Sequence, residues 1–451
     1  MTKKNLHTLT IDKLVPGGFG LGRLANGIIV LVRHVLPGEK VLISEAERKK
    51  DYMYAALKEV LQPSMERIEP PCPVYGRCGG CDLQHAAPES QLRLKKTILG
   101  ESLQRGSSTL PHDRLLPIEE PLVAPSPFNY RQRLRLQVDD QGKYGFFQPE
   151  SHSIVPVTQC LLAKKQLNSV LKQLHALNSF HGFVKHSSAF ELLSNPDKDR
   201  TILLLHFLRK PRPADSTVAA DLKGRVNGLS AILMLVEGYG LYDPLEQAFA
   251  ARPPLLSYTA TIEAIKSKLI FTWEAGGFCQ VNLEQNISLI KLVLDMITGG
   301  PHKTILDLYC GYGNFSLPAS TFAEHVLGID SQNSALRSGL KNASVNDIHN
   351  CRFEKKQVPA AVTAMVSADA SFKTIILDPP RRGAPEVTAL LPKLAADRII
   401  YISCNPATLA RDLIPLLAAG YHLSRLVPVD MFPQTHHLES VALLERSSNR
   451  L

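Results

Sequence analysis

No apolar run in the 451 residues approaches the roughly 20 residues that a bilayer-spanning helix needs. The opening stretch, Met1-Thr2-Lys3-Lys4-Asn5-Leu6-His7, lacks the long apolar core of a secretory signal. No membrane partner is expected, and a cytoplasmic protein is. Acidic residues are in deficit: the formal net charge is +9, which favours an anionic partner, nucleic acid first. The composition is otherwise ordinary for a globular protein, 44% hydrophobic and 21% charged. The length suits two or three domains, each with its own core, in a chain expected to act as a monomer. Eight cysteines are present. In a reducing compartment, clustered cysteines indicate metal or catalysis rather than disulfides.

Three of them form such a cluster, Cys72, Cys78 and Cys81, spaced C-x5-C-x2-C among Gly76, Gly79 and Gly80. Glycines let the backbone wrap a metal closely. The fourth ligand is Cys160 by order and context, with His85 as the rival. Four thiolates fit a tetrahedral zinc or an iron–sulfur cluster. Upstream, residues 1–62 predict a small β-barrel, with strands at Thr8–Leu14, Ile28–Val32 and Lys40–Ser44. The glycine-rich Pro16–Gly22 run predicts a bent or bulged connection. Lys and Arg outnumber Asp and Glu by four there, and small basic barrels commonly bind RNA. Leu14-Val15-Pro16-Gly17-Gly18-Phe19-Gly20-Leu21-Gly22, followed by Val35-Leu36-Pro37-Gly38-Glu39, resembles a TRAM domain, an RNA-binding barrel.

Residues 63–265 read as a central domain. Ser90–Leu103 predicts an amphipathic helix with Arg93, Lys95 and Lys96 outward. Phe128–Leu136 interleaves Arg131, Arg133 and Arg135 with apolar residues, the alternation of a strand with a basic face, suited to RNA or to shielding a sheet edge. Runs such as Thr201–Leu208 and Ala231–Val236 read as scaffold without chemical motifs.

Residues 266–451 turn to a βαβ pattern. A helix over Asn286–Ile297, ended by Gly299-Gly300-Pro301, leads to the strand Thr304–Leu308. Then comes Tyr309-Cys310-Gly311-Tyr312-Gly313-Asn314. A glycine turn after the first strand of a doubly wound sheet lets the backbone approach a nucleoside. The third glycine of a dinucleotide fingerprint is missing, so no pyrophosphate is indicated. The next strand, His325–Ile329, ends at Asp330, placed to accept ribose hydroxyls. S-adenosylmethionine is the natural ligand of such a site. Two further strands, Thr374–Leu377 and Ile399–Ile402, deliver Asp378-Pro379-Pro380-Arg381 and Ser403-Cys404-Asn405-Pro406. A carboxylate and a thiol then share the carboxyl edge of one sheet, where open α/β folds bind ligands.

Taken together, these segments resemble the RNA uridine-5-methyltransferases, in the branch with a TRAM domain and a 4Fe–4S cluster. The resemblance rests on the four cysteines, on Gly277-Phe278-Cys279-Gln280-Val281-Asn282, on the Asp307–Gly313 segment, and on the Asp378 and Cys404 motifs. It implies an α/β architecture: a C-terminal Rossmann-like methyltransferase domain, an OB-like N-terminal barrel and a central α+β iron–sulfur domain. It implies a cluster on Cys72, Cys78, Cys81 and Cys160. It implies S-adenosylmethionine contacts from Gln280, Tyr309, Asn314, Asp330 and Asp378, although the family often has Glu where this chain has Asp330. Cys404 becomes the nucleophile, Glu439 the general base, and Phe278 a residue facing the flipped base, with Arg131 and Arg133 as further RNA contacts. The implied substrate is ribosomal RNA of the large subunit, with transfer RNA second. Two other functions fit parts of the sequence. One is an N-methyltransferase using Asp378-Pro379-Pro380 as its polar clamp. The other is a non-catalytic RNA-binding iron–sulfur protein.

Overall fold

A computed structural model describes residues 6–106, 118–298 and 304–446. Gly299-Gly300-Pro301, read as a helix stop, and Met1–Asn5 lie outside the described residues. The first five strands are β1 (Leu6–Val15), β2 (Phe19–Arg23), β3 (Ile29–Arg33), β4 (Lys40–Arg48) and β5 (Tyr52–Gln62). They close into a barrel in the order β1-β2-β3-β5-β4. Its interior is filled by alternate residues such as Leu9, Ile11, Val30, Val32, Val41 and Ile43.

The glycine-rich run is only partly a connection. Gly17 and Gly18 make the turn, with φ of 91° and 74°; Gly20 and Gly22 lie within β2. A Cβ on Gly20 would stand 2.3 Å from Val35 Cγ2. That glycine serves close approach inside the barrel rather than a bend.

Eight strands form the central sheet: β6 (Arg133–Val138), β7 (Tyr144–Phe147), β8 (Ile154–Pro156), β9 (Ser187–Asn195), β10 (Arg200–Phe207), β11 (Leu229–Val236), β12 (Gly240–Asp243) and β13 (Ala248–Phe249). Helices Lys165–His175, Asn178–Val184 and Pro213–Arg225 pack their apolar residues onto it. A hairpin of β14 (Leu255–Ile262) and β15 (Ser267–Glu274) leads to helix Leu283–Thr298.

The third sheet holds β16 (Thr304–Leu308), β17 (His325–Asp330), β18 (Cys351–Lys355), β19 (Thr374–Leu377), β20 (Arg398–Ser403), β21 (Tyr421–Val429) and β22 (Glu439–Arg446). Its order is β18-β17-β16-β19-β20-β22-β21, and only β22 runs against the rest. The central strands are apolar without alternation because both faces are covered. Ile305, Ile376, Ile400 and Ile402 enter one core, and Leu306, Ile375, Ile399 and Tyr401 the other. The chain leaves β16 to one side and returns to β19 on the other, which opens a crevice at their carboxyl ends.

Helix Pro88–Gly106 precedes the central sheet in sequence but packs against helix Pro406–Ala418 of the third layer, with Leu99 and Leu103 in its core. Lys95 does not point outward as its spacing predicted. It is 1% exposed, and its Nζ lies 2.7 Å from Asp430 Oδ1; the buried charge is tolerated because it is paired. No helix among the described residues is long and apolar enough to cross a membrane.

Candidate active site

The crevice is built by strand ends. After β16 the chain passes through Tyr309, whose φ of 62° is a left-handed conformation that costs a non-glycine residue about 1–3 kcal/mol. Cys310 N donates to Ile329 O at 3.2 Å, and Asp378 N to Leu308 O at 3.3 Å, holding the three strand ends level. Gly313 is required twice over: its φ is 87°, and a Cβ would lie 2.9 Å from Phe353 Cζ. Asp330, at the end of β17, accepts from Gly311 N at 3.0 Å and from Gln332 N at 2.8 Å. Both oxygens are thereby fixed while each keeps a further lone pair.

Asn314 is buried behind this turn. It exchanges side-chain hydrogen bonds of 2.8 and 2.9 Å with Asn286 and accepts from the Tyr312 hydroxyl at 3.2 Å. Gln280 is half-buried and touches Tyr312 through its backbone. Phe278, beside it, is 61% exposed.

The second cluster sits one strand further on. Ser403 of β20 pairs with Ser440 of β22, so Cys404, the next residue, comes level with Glu439 on the adjacent strand. Leu377 pairs with Tyr401, which brings Asp378 to the same edge. Asn405 caps the following helix, accepting from Ala407 N at 3.1 Å. Burial pushes the Cys404 thiol up to about 11, and the charges of Glu439 and Asp378 push the same way; Arg381 opposes them. Burial, then Asp378, holds the Glu439 carboxyl well above the usual range, again opposed by Arg381. Glu439 Oε1 is buried without a hydrogen-bond partner. Asp378 keeps part of its surface open to the crevice, yet the enclosing protein pushes it up to about 7.

The structure therefore brings Cys404, Glu439 and Asp378 together, with Tyr309 and Asp330 in the adjoining crevice. Gln280 and Asn314 adjoin the glycine turn through Tyr312, and the remaining predicted site residues lie elsewhere. Cys72, Cys78, Cys81 and Cys160 are all free thiols and line one pocket with Tyr75, Gln84 and Arg131. No three His, Cys, Asp or Glu among the described residues converge as ligands of a single metal ion. Arg133, read as an RNA contact, is engaged within the protein: its Nε meets Glu191 Oε2, and its Nη1 donates to Gly277 O at 3.1 Å.

Three contributors carried no role in the sequence reading. Arg381 is a cation acting on both Cys404 and Glu439; its signal lay in the Asp-Pro-Pro-Arg motif. Asp307, fully buried, is bonded to Ser316 through Oδ2 but leaves Oδ1 without a partner, and burial raises it to about 7. Asp82, next to Cys81, reaches the loop that leads to Glu439.

A seven-stranded sheet with one reversed strand, an acid-ended second strand and a glycine turn defines an S-adenosylmethionine-dependent methyltransferase fold. A profile of the family described as tRNA (Uracil-5-)-methyltransferase matches residues 257–447. A 23S rRNA (uracil(1939)-C(5))-methyltransferase RlmD of Klebsiella pneumoniae is 34% identical over 451 residues, covering 99% of this chain and 97% of that protein. The protein of the same name from Pseudomonas putida is 33% identical, covering 97% and 93%. Among solved structures, the Pyrococcus abyssi tRNA (uracil-54, C5)-methyltransferase bound to S-adenosyl-L-homocysteine shares the fold. It has a TM-score of 0.71 and 23% identity over 97% of this chain and all of that one. The chain belongs to the RNA uracil-5-methyltransferase family, enzymes that use S-adenosylmethionine.

Proposed function

We propose that the chain methylates carbon 5 of one uridine in large-subunit ribosomal RNA, the target in the names of its full-length relatives, through a covalent bond to Cys404. The observation that carries this reading is the pairing of β20 with β22, which sets a thiol beside a carboxyl with one unpartnered oxygen. Carbon 5 of uracil is a poor nucleophile. The Cys404 thiolate adds to carbon 6, and the displaced electron pair makes carbon 5 enolate-like and able to take a methyl group. S-adenosylmethionine, when bound, supplies that methyl as a sulfonium. Glu439 then removes the carbon 5 proton; the carbon 5–carbon 6 double bond reforms, and the thiolate leaves. Asp330 and Asp378 flank the crevice where the cofactor's polar groups would sit, with Tyr309, Gln280 and Asn314 forming its wall.

The cysteine pocket suits a 4Fe–4S cluster. Three thiols come from one glycine-bearing loop and the fourth from Cys160 across the pocket; a cluster spreads its thiolates further apart than a single zinc does. The group has no part in the steps above. The barrel and the exposed Phe278 are the surfaces that meet RNA, and the target base must leave its stack to reach Cys404.

Incubation of wild type and Cys404→Ala with 5-fluorouridine-substituted ribosomal RNA and S-adenosylmethionine tests the reading. Fluorine cannot leave as a proton, so wild type is expected to arrest as a covalent adduct, and mapping it identifies the uridine. Methyl transfer intact in both proteins with no adduct overturns the thiol mechanism and favours an N-methyltransferase. An adduct with transfer RNA but not ribosomal RNA overturns the substrate.

A further inference from the structure

Glu439 is reached through the loop 430–438, which joins β21 to β22. Six of its nine residues are held by segments outside the third sheet. Lys95 binds Asp430 and donates to Phe432 O at 3.1 Å. Asn282 donates to Met431 O at 3.4 Å, and the Tyr130 hydroxyl to Pro433 O at 3.0 Å. Gln91 and Gln434 exchange hydrogen bonds of 3.0 Å. The contact nearest Glu439 comes from the cysteine loop. Asp82 Oδ1 accepts from His436 N at 2.6 Å, and its Oδ2 lies 2.5 Å from His436 Nδ1. The barrel closes over this contact: a Cβ on Gly18 would stand 3.2 Å from both Asp82 Cγ and His436 Cβ.

Only two residues, His437 and Leu438, separate His436 from Glu439. The His436 and His437 rings lie 4.2 Å apart, and Leu438 is 3% exposed, so little slack separates clamp from base. The Glu439 Oε1 has no hydrogen bond to orient it. Its aim therefore depends on how the preceding loop packs.

We propose that Asp82 is a positioning residue for proton removal, clamping His436 so that the Glu439 carboxyl is aimed at the carbon 5 proton. This rests on the reading of Glu439 as the base. Thiol addition and methyl transfer need only Cys404 and the crevice, so loss of the clamp is expected to stall the reaction after methylation. A misplacement of about 1 Å is worth roughly a hundredfold in rate.

The test uses ordinary, unfluorinated RNA with wild type, Asp82→Ala, Asp82→Asn, His436→Ala and Glu439→Gln, quenched at intervals and run on denaturing gels for methylated protein–RNA adduct. His436→Ala removes the ring half of the clamp from the side away from the cysteines, and iron and sulfide content reports whether the cysteine loop is intact. Expected are adduct formation within about threefold of wild type in both clamp variants, adduct resolution slowed at least tenfold in Asp82→Ala, and a smaller slowing in His436→Ala, which keeps the backbone N–H bond to Asp82. Asp82→Asn should recover most of the resolution rate, since its amide oxygen still accepts from His436 N. Adduct formation and resolution falling in parallel, or normal turnover in both clamp variants, overturns the proposal while Glu439→Gln still accumulates adduct. If Glu439→Gln accumulates none, the base assignment fails, and the clamp with it.

Discussion

Two buried glutamates answer the same desolvation in opposite ways. Glu191, on β9 in the central sheet, is fully buried; His206 Nε2 lies 2.8 Å away, and Arg133 meets its other oxygen. Burial pushes its carboxyl up, but the hydrogen bonds from His206 and Arg133 outweigh that and hold it below the usual range. Glu439 is nearly as buried, at 6% exposure, has an oxygen without a partner, and sits well above the usual range. A satisfied buried carboxylate holds a sheet together. An unsatisfied one is strained toward taking or giving a proton, and unlike Glu191 it stands beside a thiol at a crevice.

The largest expected effect comes from exchanging their chemistry. Glu439→Gln is expected to lower turnover roughly 10²- to 10⁴-fold, the usual loss on removing a general base, with the fold intact by circular dichroism. Glu191→Gln is expected to leave the single-turnover rate within a few-fold of wild type but to cost about 3 kcal/mol of stability, because it strips a buried pair of one partner. Denaturant unfolding beside single-turnover methylation separates the two. A Glu191→Gln protein that is stable but inactive would break the distinction.

The same contrast marks what the sequence makes legible. The strands ending in Tyr309, Asp330, Asp378 and Cys404 are readable because each is a short apolar run closed by a turn signal, and their shared edge follows from the doubly wound pattern. The Cys72–Cys81 spacing is local and equally plain. Glu439 is not readable from its surroundings: it reads as a surface residue before a terminal strand. Only the insertion of β22 between β20 and β21 buries it, and that pairing is non-local. Lys95 misleads for the same reason, since its partner Asp430 lies 335 positions away. Arg133 follows the alternation of its strand, but periodicity does not show that Glu191 waits on β9. The glycines of β2 look like a loop because their reason, the closeness of Val35, lies across the barrel.

A pH series on stability sharpens the comparison. For Glu439 the folded value lies above the unfolded one. The unfolded state therefore loses its proton first, and stability falls as pH rises from about 4.3, the ordinary glutamate value, toward the raised folded value. Glu439→Gln escapes that loss, so its melting temperature is expected to match wild type near pH 4 and to exceed it at pH 8. Each kcal/mol corresponds to about 2–4 °C for a domain of some 200 residues. For Glu191 the folded value is depressed, so its contribution is present above the unfolded value and is lost as pH falls through the folded one. Glu191→Gln should thus melt below wild type at pH 7, with the gap closing in acid. Two buried glutamines whose deviations run in the same direction with pH would contradict the assignment.

The smallest expected effect concerns the cation that softens the contrast. Arg381 is exposed, yet its charge opposes the upward shifts of both Cys404 and Glu439. Removing it leaves the thiol less often ionised. Arg381→Gln is expected to slow adduct formation at pH 7.5 roughly threefold to tenfold, less than a buried cation would give, because solvent and salt screen it. The gap should narrow only as the pH nears the thiol's raised value of about 11, where thiolate forms without help. Saturating RNA in single turnover separates this from lost phosphate binding, which raises the RNA concentration needed but leaves the saturated rate alone. A deficit independent of pH at saturating RNA would mean that Arg381 acts on the RNA or the fold, and that Cys404 is charged by other means.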